Sequence, residues 1–221
     1  YPQYTVIQGG DGGMEYPMIT LITGERKLPS LVGVTVHEMA HSWFQALVAT
    51  NESLYEWMDE GFTSWIESEC IANFSMMHAE EEEAVQGGKH SWAYKSYINY
   101  ALSGNEEPLI THADHYVRNR SYGVAAYSKG EVLMEQLGSI IGIDNRNEGV
   151  RTYFEEWAFR HPGPTDFKRV MEKTSGLELD WYFEQFVNTI NTIDYSINEA
   201  IEFGEKTKIT LKRIGDMPMP I

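Results

Sequence analysis

With 221 residues, 42% of them hydrophobic, the chain holds enough apolar material for one large domain, or for one domain and the start of another. Its formal net charge of −16 argues against nucleic acid or an anionic membrane as partner, since both are polyanions. No stretch approaches the roughly 18 apolar residues of a membrane span, and the lone cysteine, Cys70, excludes an internal disulfide.

Residues 4–7 are β-prone, and Met18–Thr23 reads as a second strand. Between them the Gly-rich stretch from Gln8 to Gly13 leads into Gly12-Gly13-Met14-Glu15-Tyr16-Pro17. This is backbone that bends sharply or is closely approached, and it carries one acid at its tip. A turn acid is ordinarily just solvated, and Asp11 has an ordinary structural reason to sit in such a turn. Pro29-Ser30 then introduces a helix, with Ser30 as the expected N-cap. Val32, Val36, Met39 and Trp43 form an apolar stripe expected to pack that helix into the domain.

That helix carries His37-Glu38-Met39-Ala40-His41. Imidazoles four residues apart project from one helical face and can grip a single Zn²⁺ at roughly 2.0–2.1 Å each. Glu38 neighbours His41 on the helix surface and can reach a metal-bound water without binding the metal. A zinc site that does chemistry needs a third protein ligand and an open position. Glu60 is the candidate: the eighteen residues between it and His41 suit a helix end, a loop around Asn51-Glu52-Ser53 and the start of a second helix.

The second helix is expected from about Glu60 to Phe74. In it Glu67 serves either as a partner to a ligand histidine or as a surface acid, and Cys70 packs in the core. Glu80–Glu83 reads as a solvated acidic run, and Trp92–Tyr100 as a buried helix. His78, His90, His112, His115 and His161 fit no ligand spacing. Residues 122–137 are helical in pattern and contain Tyr127, a residue type usually found in the core. Helical segments Val150–Arg160, Thr165–Thr174 and Leu179–Val187 follow, broken by Pro and Gly. Thr192–Ile197 and Lys206–Ile214 alternate as strands, a pair too small to build its own core.

His37, Glu38, His41 and Glu60 reproduce the pattern of the gluzincin metallopeptidases. The flank Trp57-Met58-Asp59-Glu60-Gly61-Phe62-Thr63-Ser64 resembles the M1 aminopeptidase family, relatives of leukotriene A4 hydrolase and the alanyl aminopeptidases. The resemblance runs in the family's order from the Glu15 motif to the final strands. It implies an α+β fold: a thermolysin-like catalytic domain over residues 1–190, with a small N-terminal sheet and a mostly helical lobe. Residues 191–221 would then be the truncated beginning of a C-terminal β domain. It also implies one Zn²⁺ on His37, His41 and Glu60, and Glu38 as general base. Gly12, Gly13, Met14 and Glu15 are similar to the family's Gly-x-Met-Glu-Asn signature, which implies that Glu15 binds the substrate's α-amino group. Tyr16 stands where that signature has Asn. Tyr127-Ser128-Lys129-Gly130 resembles the family's Tyr-x-Lys-Gly motif, which implies that Tyr127 stabilises the oxyanion, with Tyr122 a weaker lining candidate and Lys129 structural. The implied partners are peptides with a free N-terminus and the other domains of a longer protein. A thermolysin-like endopeptidase and a non-catalytic peptide-binding domain stand as alternatives.

Overall fold

In the computed structural model, which describes residues 1–10, 12–78 and 88–221, the β-prone N-terminal stretch forms a three-stranded sheet. Asp11 and the acidic run Glu80–Glu83 lie outside the described residues. Strand β1 (Thr5–Gly9) runs parallel to β3 (Ile19–Thr23), and the two-residue β2 (Gly13–Met14) pairs antiparallel along the other side of β3. β2 is therefore an edge strand.

Helix α1 (Leu28–Ala40) follows. It opens at Lys27 and not at Ser30: Pro29 sits in the first turn, where a missing N–H costs nothing, and the Ser30 hydroxyl accepts from Arg26 Nη1. The stripe Val32, Val36, Met39 and Trp43 is not the buried face. Met39 and Trp43 are exposed, while Gly33, His37, Glu38 and Ala40 are buried. The inward face belongs to His37 and Glu38, so the stripe turns sideways. There Val36, Met39 and Trp43 wall a shallow apolar groove of about 340 Å³ with Ile66 and Phe154.

The helical lobe comprises α2 (Phe62–His78), α3 (Ser91–Ala101), α4 (Asn119–Gly123), α5 (Gly130–Ile141), α6 (Ile143–Trp157), α7 (Pro164–Ser175) and α8 (Asp180–Asn188). Two wide, π-helical turns introduce two of these helices: Trp57–Gly61 leads into α2, and Val124–Lys129 into α5. α6 starts at Ile143 rather than Val150, because Gly142, at φ 89°, supplies the break. α3 buries Ala93, Tyr97 and Tyr100 but leaves Trp92 exposed, so the aromatic stretch is a one-sided helix and not a wholly buried one. Cys70 is exposed on α2 and is not a core residue, since the inward face of that helix is taken by Phe62, Trp65 and Ala72.

The core is aromatic. Phe62 packs within 4.6–5.7 Å, centroid to centroid, of Phe44, Trp57 and Phe167, and α5 adds Leu133, Met134 and Leu137. Lys129 is buried beside it, with Nζ donating to Glu106 Oε1 at 2.5 Å and to the Thr189 carbonyl at 3.2 Å. After α8, strands β4 (Tyr195–Phe203) and β5 (Lys206–Arg213) form an antiparallel hairpin that is largely exposed. No helix among the described residues is long and apolar enough to cross a membrane.

Candidate active site

α1 delivers its two histidines from its C-terminal end, and the turn Trp57–Gly61 brings Glu60 to meet them. His37 Nε2 lies 3.2 Å from His41 Nε2, and Glu60 Oε2 lies 3.1 and 3.3 Å from the two nitrogens. A tetrahedral ion with bonds of 2.0–2.1 Å sets its ligand atoms about 3.3 Å apart. The triangle thus has the size, and the two imidazoles and one carboxylate the chemistry, for a borderline divalent cation.

The outward ring nitrogens are held as well. His37 Nδ1 is 3.0 Å from Glu67 Oε2, which makes Glu67 a partner to a histidine rather than a surface acid. His41 Nδ1 is 2.6 Å from Asp59 Oδ1, with Thr63 Oγ1 at 3.3 Å. A carboxylate on the far nitrogen fixes the ring and leaves Nε2 as the donor. Burial opposes charge on either imidazole, yet contacts with the Glu60 and Glu67 carboxylates push His37 up to about 9, and ion pairing with Asp59 and Glu60 pushes His41 up to about 11. Burial also opposes ionisation of Glu60, but the two imidazoles hold its carboxyl down at about 2. The acidic field that retains those protons is complementary to a metal ion in their place.

Glu38 is buried next to this triangle, and its Oε2 has no hydrogen-bond partner. Burial pushes its carboxyl up to about 7. β2 passes directly over it: a Cβ on Gly13 would fall 2.0 Å from Glu38 Oε1, so any larger residue there would force the Glu38 carboxylate to move. Glu15, just beyond β2, has a carboxylate oxygen within 4.8 Å of ligand atoms on both Glu38 and His41. The Gly12 carbonyl accepts from Arg26 Nη2 at 3.0 Å, and the Met14 carbonyl from Thr20 Oγ1 at 2.9 Å, which pins the strand. Tyr16 points into solvent.

Tyr127 stacks on His37 with ring centroids 5.9 Å apart and planes 16° from parallel. Burial and the charge of Glu60, which its hydroxyl engages, raise its pKa far above the ordinary value, so the group stays a hydrogen-bond donor. Tyr122 is raised to about 12 by burial and by Glu60, Glu56, Asp59 and Glu15, so it faces the same acidic centre. Gly61 and Gly130 touch where the two π-helical turns cross, setting Glu60 and Tyr127 on either side of the contact. A cleft of about 640 Å³ opens over Gly13, Val34, His37, Glu38, Tyr127 and Ser128.

Sequence reasoning brought His37, Glu38, His41, Glu60, Glu15 and Tyr127 forward, and the fold gathers all six. It missed the roles of Asp59 and Thr63. The available signal was the acid directly preceding Glu60. Successive residues of an α-helix diverge by about 100°, however, and the wider turn is what aims both acids at the histidines.

The peptidase family M1 domain matches residues 17–186 of the chain. Aminopeptidase B of Mus musculus is 27% identical over 186 residues, covering 79% of this chain and 26% of that protein. Aminopeptidase N of Streptomyces lividans is 27% identical over 167 residues, covering 70% of this chain and 18% of that protein. The chain therefore spans about a quarter or less of the length of these curated relatives. An M1 zinc metallopeptidase from Deinococcus radiodurans shares the fold with a TM-score of 0.61 at 19% identity, over 82% of this chain and 38% of that one. Leukotriene A4 hydrolase from Saccharomyces cerevisiae does so with a TM-score of 0.59 at 22% identity, over 83% and 31%. The domain match takes in the histidine pair, the acid that meets it and the stacked tyrosine, and on that extent the chain belongs to peptidase family M1.

Proposed function

We propose that the chain carries the catalytic centre of a zinc aminopeptidase, which hydrolyses the N-terminal residue from peptides with a free amino group. The observation that supports this best is a metal-sized triangle of His37, His41 and Glu60 with two further acids, Glu38 and Glu15, at its rim. Zinc held there supplies Lewis acidity, polarising the scissile carbonyl and bringing a water pKa toward about 7.

The chain's own groups do the rest. Glu38 takes a proton from the attacking water as the oxygen adds to the carbonyl carbon, and returns it to the amine nitrogen as the C–N bond breaks. The Tyr127 hydroxyl donates to the carbonyl oxygen as it gains negative charge. Glu15 accepts from the α-ammonium in a charge-assisted bond, which fixes the register so that one residue is removed. The free edge of β2 offers backbone for the peptide to lie along as an added strand. In this reading residues 1–190 are the catalytic domain and 191–221 belong to a β domain.

The full-length protein tests it. Free peptides are expected to be cleaved at least tenfold faster than their N-acetylated forms, and Glu38→Gln to lose turnover by about 10²–10⁴ with zinc retained. Equal cleavage of both peptide forms would make the site an endopeptidase. Bound zinc with no turnover of any peptide would make it a binding domain.

A further inference from the structure

We propose that Glu69, His90 and Glu135 form a second divalent-metal site, one that takes zinc, in a separate cavity behind one wall of the active-site cleft. This does not rest on the aminopeptidase reading. His90, just ahead of α3, is 5% exposed. Its Nε2 lies 3.3 Å from Glu69 Oε1 on α2 and 3.4 Å from Glu135 Oε2 on α5. These spacings match the edges of the catalytic triangle and the ligand separations of a tetrahedral ion, about 3.3 Å. The three ligand atoms lie within 4.8 Å of one another.

The surroundings repeat the catalytic design. His90 Nδ1 is 2.8 Å from Glu131 Oε1, a buried oxygen that also accepts from Ser68 Oγ at 2.7 Å. A carboxylate there keeps the proton on Nδ1 and leaves Nε2 a lone pair for the metal, as Glu67 and Asp59 do for His37 and His41. Both ligand carboxylates are oriented from outside. Lys89 Nζ donates to Glu69 Oε2 at 2.8 Å, leaving Oε1 toward His90. Arg146 Nη1 donates to Glu135 Oε2 at 2.8 Å, which leaves that oxygen a second lone pair. Arg146 is itself fixed, buried over the Trp65 ring at 4.6 Å. A cavity of about 640 Å³ opens onto the three ligands and gives water a route to a fourth position.

An ion here would clasp α2, the approach to α3 and α5 together. Lys89 and Glu131 also line the catalytic cleft, so the clasp would fix that wall. The competing state is an imidazolium among ion pairs, with Lys89, His90 and Arg146 facing Glu69, Glu131 and Glu135.

Titration of the chelator-stripped full-length protein with Zn²⁺, and with Co²⁺ as a spectroscopic probe, separates the two. The clasp requires two ions per chain. His37→Ala/His41→Ala is expected to retain one, with a cobalt spectrum of mixed nitrogen and oxygen ligation. Glu135→Gln is expected to weaken the second ion at least tenfold and leave the first unchanged. One equivalent at saturation in the wild type, or none in the His37→Ala/His41→Ala variant at an unchanged circular dichroism spectrum, would overturn the proposal. The wild-type count holds even if a variant fails to fold.

Discussion

Gly61 and Gly130 meet backbone to backbone at the crossing of the two π-helical turns. A Cβ on Gly61 would lie 2.6 Å from Gly130 Cα and 2.8 Å from the Ala126 carbonyl oxygen, and neither can swing aside. Because Glu60 and Tyr127 ride on these turns, the contact fixes how far the ligand carboxylate stands from the phenol. Gly61→Ala and Gly130→Ala are each expected to cost about 1–3 kcal/mol by overpacking. Thermal unfolding checks this, and an unchanged Tm for both variants would mean the turns do not touch.

Tyr127→Phe removes the hydroxyl and keeps the ring stacked on His37. If that hydroxyl stabilises the oxyanion, kcat should fall about 10²–10³-fold with KM shifted only a few-fold. A rise in KM at constant kcat would assign Tyr127 to substrate binding instead.

Asp59 touches His41 and not the metal position. Asp59→Asn keeps the shape and removes the charge that orients and polarises the ring. Zinc affinity, read by competition with a chelator, is expected to weaken about 10–100-fold. Wild-type affinity in that variant would reduce Asp59 to packing.

Glu56 offers a pH test at a group outside the metal-sized triangle. It is 2% exposed, its Oε1 accepts from the Tyr116 hydroxyl at 2.8 Å, and its Oε2 has no partner. Burial raises its carboxyl from 4.5 to about 7. The folded state therefore binds this proton more tightly than the unfolded state. The stability it confers is fully present below about pH 4.5 and is lost as pH climbs through about 7. At 1.36 kcal/mol per pKa unit the loss amounts to about 3 kcal/mol. Glu56→Gln should remove this dependence, so urea unfolding at about pH 5 and about pH 8 should show a smaller difference in the variant. Parallel losses in both proteins would count against it.

The histidine pair and Glu38 were legible because four-residue spacing on a helix is already a statement about geometry. Glu60 followed from the length of chain needed to turn back. Glu15 and Tyr127 were not legible from residue physics, which favours a solvated turn acid and a core aromatic; they came forward by resemblance. Apolar periodicity showed that Val36, Met39 and Trp43 share a face, but not that His37 and Glu38 claim the inward one. The wide turns were invisible, since their residues read as ordinary helix. The grouping of Glu69, His90 and Glu135 was invisible too, because residues far apart in the chain meet only once three elements have packed.

The bare backbone of Gly13 rests on Glu38, and under the proposed mechanism that contact would couple recognition to turnover. A side chain added at Gly13 would press on the Glu38 carboxylate, the proposed proton acceptor. Kinetic effects of substitutions at Gly13 should therefore refuse to separate into affinity and rate, whereas those at Met14, whose side chain is partly free, should separate. If the substrate lies along this edge, retuning its specificity begins one residue further on.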